Sequence, residues 1–242
     1  MRIIPVGKTY FAAALMAISI LCIALCRTGA EVPRTCAGAD AAEFDVAEDV
    51  GMSDAAAVSS GKLIITTYSG GNEGHQITFP DSTTLGIDCA TGTITSLSHY
   101  HGDHCDGDPH TYNRNNVSLG QVIYDKDGVT VTVVGTNGRV IGGMDGDCSY
   151  SDENACSMVL WVKYKGFDYL TGGDLTGSRE KPLGDALDAM GVHIDVYKVH
   201  HHGSSGSSCT PFLEDILPEY AVVCGHASSL KDDTLERLKN AG

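Results

Sequence analysis

Four metal-seeking side chains fall within six residues of this chain, His99, His101, Asp103 and His104 in the run HYHGDH. The residues before them, Thr93 to Ser98 (TITSLS), read as a β-branched strand. Alternate residues at the end of a strand point the same way, so His99 and His101 can grip one ion together. The chain then turns at Gly102, which lets Asp103 and His104 face a second position. Neutral imidazole and carboxylate are ligands suited to zinc and related transition metals. Two other clusters close predicted strands: Gly172-Gly173-Asp174, and the tract His200-His201-His202-Gly203-Ser204. Either one alone reads as a common turn or a polar surface tract. All three at strand ends point to a single pocket, because loops at a sheet edge converge.

The order of elements supports this. Lys62 to Tyr68, His75 to Phe79 and Thr84 to Asp88 are short segments rich in β-formers, separated by Gly, Asn, Pro and Asp. Gln121 to Tyr124, Val129 to Val134, Met158 to Tyr164 and Phe167 to Thr171 continue the pattern. It then changes, for Leu183, Ala186, Leu187 and Met190 recur at helical spacing within Arg179 to Met190. Ile194 to Val199 and Tyr220 to Cys224 are expected strands, while Pro211 to Leu217 and Lys231 to Asn240 are expected helices. Strands first, then helix and strand alternating, imply an α/β fold of sheets covered by helices.

Residues 1–30 have the pattern of a secretory signal: Arg2 and Lys8, an apolar run from Phe11 to Cys26, then Thr28-Gly29-Ala30. Residues 31–60 read as a loosely ordered leader, and 61–242 as one domain. The expected location is secreted, periplasmic or extracellular, with membrane anchoring by residues 11–26 as the alternative. That run is short for a span, which needs about 20 residues. The net charge is −15, and loss of Arg2, Lys8 and Arg27 with the leader takes it to −18. Such a chain lacks the basic surface by which nucleic-acid binders gather phosphate. Export permits disulfides; Cys148 with Cys156 is the favoured pair, and Cys105 is either a thiol beside the metals or paired with Cys89.

The run His99-x-His101-x-Asp103-His104-x-x-Gly107 resembles the HxHxDHxxG signature of the metallo-β-lactamase superfamily. Asn154-Ala-Cys-Ser157, Leu170-Thr-Gly-Gly-Asp174 and Asp195-Val-Tyr-Lys-Val199 before His201-His202-Gly203-Ser204 resemble its ComEC-type branch, over roughly residues 62–240. The resemblance implies an αββα sandwich of two mixed β-sheets covered by helices. It implies two divalent metal ions, zinc with manganese as the alternative. His99 and His101 would hold the first, Asp103 and His104 the second, and Asp174 would bridge them. His201 would be a ligand or proton donor, His202 a neighbouring acid, and Asp88 a carboxylate that orients the ligands. Two features depart from the family: only a few residues separate Asp88 from the histidine strand, and Ala227-Ser-Ser-Leu-Lys231 replaces a stretch that supplies a late histidine. His226, a few residues early, is the candidate for that role, and His110 lies too close to His104 to fill it.

The implied activity is hydrolysis by a metal-activated water, with Asp103 orienting the nucleophile and His201 or His202 protonating the leaving group. The branch implies a phosphodiester substrate, DNA or a small diester. The alternatives are a thioester or lactam hydrolase, and a catalytically impaired binding module that keeps the fold.

Overall fold

A computed structural model describes residues 2–6, 39–44, 62–68, 74–105, 110–142, 152–226 and 228–241. The first half contributes β1 (Arg2–Pro5), β2 (Ala39–Phe44), β3 (Leu63–Tyr68), β4 (His75–Thr78), β5 (Thr84–Ile87), β6 (Ile94–Leu97) and β7 (Tyr112–Asn113). Then come β8 (Val122–Lys126), β9 (Val129–Thr136), β10 (Arg139–Val140), β11 (Val159–Tyr164) and β12 (Phe167–Thr171). The last part alternates: α1 (Gly177–Ala189), β13 (Val196–Lys198), α2 (Thr210–Ile216), β14 (Tyr220–Val223) and α3 (Asp232–Asn240).

The strands form two mixed sheets. One has eight strands in the order β1-β14-β13-β12-β11-β9-β10, with β8 also on β9; the other runs β2 to β7 in sequence order. Alternation along β9 explains how the sheets meet. Val129, Val131 and Val133 project into an apolar layer with Leu63, Ile65, Ile77, Leu85 and Ile87 of the six-stranded sheet, while Val134 faces the other way. On that other face, Leu183 and Leu187 of α1, Phe212, Leu213 and Ile216 of α2, and Leu238 of α3 cover Val159, Leu170 and Val199. The three described helices thus share one side of the eight-stranded sheet. The expected second helical layer, over the six-stranded sheet, is not found among the described residues.

The link from β5 to β6 gives the physical reason. Parallel neighbours usually need a crossover of a dozen or more residues, yet β5 and β6 are parallel and joined by residues 88–93 alone. The link doubles back flat against its own strand. A side chain at Gly86 would collide with the Thr91 carbonyl and the Cys89 thiol, and Gln76 Nε2 donates to Thr91 O at 3.2 Å. The helix that the sequence resemblance implies at this place has no chain to be built from. What remains is a direct path that delivers Asp88 beside the end of β6.

Two strands arise in segments expected to be signal and leader: β1 adds to the edge of β14, and β2 pairs with β3. The apolar run 11–26 lies outside the described residues. No helix among the described residues is long and apolar enough to cross a membrane. The expected Cys148–Cys156 pair has one end outside the described residues. The Cys89–Cys105 alternative is corrected: both are free thiols.

One half-buried carboxyl away from the strand-end loops makes stability pH-dependent. Burial, joined by the charges of Glu219 and Asp168, raises the Asp195 carboxyl from 3.8 to about 6, although it accepts the Asp168 amide hydrogen at 2.6 Å. A raised acid pKa means the fold prefers the protonated form, so its contribution is full below about pH 4 and is lost as pH rises to about 6. Asp195→Asn is therefore expected to stabilise the protein at pH 7 by about 1–2 kcal/mol, discounted for partial exposure. At pH 4 the two melting temperatures should converge, and an equal gain at both pH values would refute the assignment.

Candidate metal centre

Three strand ends build the centre. β6 ends at Leu97 and leads through Ser98 into His99, β12 ends at Thr171 before Gly172-Gly173-Asp174, and β13 ends at Lys198 before the turn His200–Gly203. In that turn His201 and His202 both adopt left-handed backbone angles, φ 52° and 56°. Consecutive non-glycine residues there cost on the order of 1–3 kcal/mol each and persist where the surroundings impose them. The His201 amide donates to Gly173 O at 3.1 Å, tying this turn to the neighbouring strand end. Gly173 is itself left-handed at φ 51°, and a Cβ there would strike the Ser98 side chain. Only glycine lets the Asp174 loop lie this close to the histidine loop.

Asp88 is the keystone under the ligands. It is buried, and accepts the Ser98 amide at 2.6 Å and the Ser98 hydroxyl at 2.8 Å. It also lies 2.9 Å from His104 Nδ1. Burial opposes its charge, but His104 and the Ser98 donors bring its pKa to about 2. An ionised Asp88 can only accept, so the His104 hydrogen sits on Nδ1. The Ser98 hydroxyl, already donating to Asp88, must accept from His99 Nδ1 at 3.0 Å. Both rings are thereby set with their Nε2 lone pairs facing inward, the arrangement in which carboxylate-backed histidines bind metal.

Those lone pairs meet a carboxylate. His104 Nε2 is 3.0 Å from Asp174 Oδ1, and His99 Nε2 is 3.8 Å from Oδ2. Two acceptors so close in a buried site need a proton or a cation between them. With a proton in that place, burial disfavours the charge on His104, yet Asp88 and Asp174 outweigh it and push the pKa to about 10. Burial and the adjacent His104 charge lower His99 to about 3, so that ring stays neutral. Asp174 is held well below the carboxylate range, its burial overcome by His104 and His202. This donor set fits a divalent cation.

The predicted residues come together with one rearrangement. Two overlapping sets have donor atoms within 4.8 Å: His99, His104 and Asp174, and Asp103, His104 and His202. His101 Nδ1 lies 3.1 Å from His99 Nε2. His202 Nε2 is 3.3 Å from Asp174 Oδ2 and 3.4 Å from Asp103 Oδ2, whereas His201 Nε2 stands 3.7 Å from Asp174 and is 30% exposed. His202 thus sits deeper in the cluster than His201. The late-histidine candidate His226 does not join it, and neither does His110. His226 is exposed and lies 2.8 Å from Ser228 Oγ. His110 precedes β7, whose Tyr112 pairs with Ser96 in parallel, so it sits beside the start of β6, away from His99.

Several residues that support the cluster have no role assigned from the sequence. Ser157 Oγ takes the Asp174 amide hydrogen at 3.2 Å, and Asn154 Nδ2 is 3.4 Å from His201 Nε2. Glu180, fully buried in α1, accepts from the Ser208 and Cys209 amides at 2.7 and 2.9 Å and pairs with His200 Nδ1 at 2.8 Å. Its signal was available: Glu180 shares the apolar stripe of Leu183 and Leu187, where a carboxylate needs a buried partner.

Asp88→Asn tests the tautomer lock. The amide keeps a single acceptor oxygen, so its NH2 must face either the Ser98 N–H or the Ser98 hydroxyl and His104 Nδ1, all of them donors to Asp88, and cation affinity is expected to fall about 10–100-fold. Titration with zinc against a competing chelator measures this, and unchanged affinity would refute the lock.

No protein-family model matches the chain. It is 32% identical over 73 residues to ComE operon protein 3 of Bacillus subtilis, a match covering 30% of this chain and 9% of that protein. It is 37% identical over 90 residues to competence protein ComA of Neisseria gonorrhoeae, covering 37% of this chain and 13% of that one. The matches thus span about a tenth of the length of these curated relatives. Among solved structures it is similar to a protein of Parabacteroides distasonis described as a metal-dependent hydrolase, with a TM-score of 0.38, 13% identity, and coverage of 57% of this chain and 70% of that one. The chain resembles competence proteins of the ComEC type over part of its length.

Proposed function

We propose that this chain is an exported, metal-dependent hydrolase of the metallo-β-lactamase type that cleaves phosphodiesters. One observation carries the reading: Asp88 and Ser98 fix the His104 and His99 rings so that both Nε2 atoms face the Asp174 carboxylate. His99, His101, Asp103, His104, Asp174 and His201 would hold two divalent ions, zinc or manganese, with His202 within reach of both Asp103 and Asp174. Such ions supply Lewis-acid charge and bring the pKa of a nearby water close to 7.

The chain's own groups then divide the remaining work. Asp103 is 52% exposed at the mouth and accepts a hydrogen bond from the attacking water, which orients it. His202, between the carboxylates of Asp103 and Asp174, holds the proton that this step releases. His201 stands further out beside the Asn154 amide, and His202 would return its proton to the leaving oxygen. The net charge of −15 opposes a long polyanion, so a small diester is preferred to duplex DNA.

A binding module without catalysis is the second reading, motivated by the short link after Asp88 and the surface position of His226. Metal content decides between them. The test compares the wild-type protein with a His99→Ala, His101→Ala double variant for metal per chain and for hydrolysis of bis-p-nitrophenyl phosphate and linear DNA. Bound metal with activity lost in the variant is expected. Hydrolysis by metal-free protein would end the metal-dependent reading, and an inactive chain that takes up no metal would leave the binding module.

A further inference from the structure

Tyr100 sits between two residues of the metal cluster, and 43% of it is open to solvent. A large aromatic that exposed is ordinarily mobile, but this one is fixed at three points. Its amide donates to Glu153 Oε1 at 3.0 Å, and its hydroxyl accepts from Asn115 Nδ2 at 2.8 Å. The Arg114 guanidinium lies 5.1 Å from its ring centroid. Glu153 is held in turn by a two-pronged bond from Arg114, at 3.0 and 2.9 Å, and Arg114 also donates to Asn137 Oδ1 at 2.9 Å. The next residue after Glu153 is Asn154, whose amide reaches His201. One short turn therefore anchors the tyrosine and touches the metal cluster.

We infer that the Tyr100 ring is a stacking platform for a flat aromatic ester group, a nucleobase, on the phosphodiester whose phosphate occupies the centre; this rests on the reading of the protein as a phosphodiesterase. A ring already immobilised loses little freedom when a ligand stacks on it. Charge argues the same way. The Arg114 cation at this rim is neutralised by Glu153, and the chain as a whole is at −15, so a second contact beyond the metals has to be uncharged. Stacking on an aromatic meets that need and accepts any base, because every base presents a π-face. The alkyl part of a diester would gain nothing from it.

The test measures binding rather than turnover. Thymidine 5′-monophosphate and methyl phosphate share a phosphate and differ in the base, and calorimetry on zinc-loaded protein gives both dissociation constants. Wild-type protein is expected to prefer the nucleotide by about 10-fold, the scale of one stacked base. Tyr100→Leu should lose that preference while binding methyl phosphate as before, and Tyr100→Phe should keep it. Equal binding of the two ligands by wild-type protein, a preference that survives in Tyr100→Leu, or one that vanishes in Tyr100→Phe would each overturn the platform alone. If neither ligand binds the zinc-loaded protein, the phosphodiester reading falls and takes the platform with it.

Discussion

Asp174→Asn is expected to empty the centre of metal and reduce hydrolysis by at least about 10²–10³-fold, the scale of removing one preorganised charge from a reacting site. The substitution is isosteric, so shape is not the variable. What changes is charge and hydrogen-bond sense. The carboxylate of Asp174 faces Nε2 atoms from His104 at 3.0 Å, His202 at 3.3 Å, His201 at 3.7 Å and His99 at 3.8 Å. An amide NH2 in that place would donate to one of those lone pairs, satisfying without a cation the cluster that the carboxylate leaves in need of one. The variant should therefore remain folded yet hold less than half the metal of the wild type. Elemental analysis and steady-state kinetics on the same preparation check both halves of the statement. Wild-type metal content with undiminished turnover would remove Asp174 from the centre.

The sequence revealed those parts of the molecule whose cause is local. β12 was expected at Phe167 to Thr171 and is found there, because a short run with Phe167, Tyr169 and Thr171, all strand formers, is bounded by Gly166 and Gly172. The helix expected over Arg179 to Met190 is found at Gly177–Ala189, its Leu183 and Leu187 facing the sheet. The histidine run was legible because four metal-seeking side chains share one strand end. Long-range features were not. The direct β5–β6 link, without a helix among the described residues, depends on the chain folding back over Gly86, a packing event that no periodicity records. Ser98 looked like the last residue of a strand, and its part in setting the His99 ring depends on Asp88 arriving from the neighbouring strand. His202 sits deeper than His201 because two successive left-handed residues reverse the usual alternation.

Glu180→Ala is expected to be the most destabilising single change outside the metal cluster, costing about 3–5 kcal/mol. Glu180 is fully buried, and its carboxylate receives the Ser208 and Cys209 amides and the His200 ring. Truncation leaves two backbone donors and an imidazole N–H without acceptors in a site closed to water, and each orphan costs about 1–3 kcal/mol. It also opens a cavity against Tyr197 and Phe212, which pack on His200. A loss of that size should lower the melting temperature by about 10 °C in a chain of this length. Glu180→Gln keeps an acceptor for one amide but turns an NH2 toward another donor, so its loss should be intermediate. The consequence reaches the metals, because the His200 ring that Glu180 holds begins the strained turn carrying His201 and His202. Weaker zinc affinity is expected in Glu180→Ala even at temperatures where it remains fully folded. A variant that melts within a degree or two of wild type would mean that the His200–Gly203 turn is held from the Gly173 side alone.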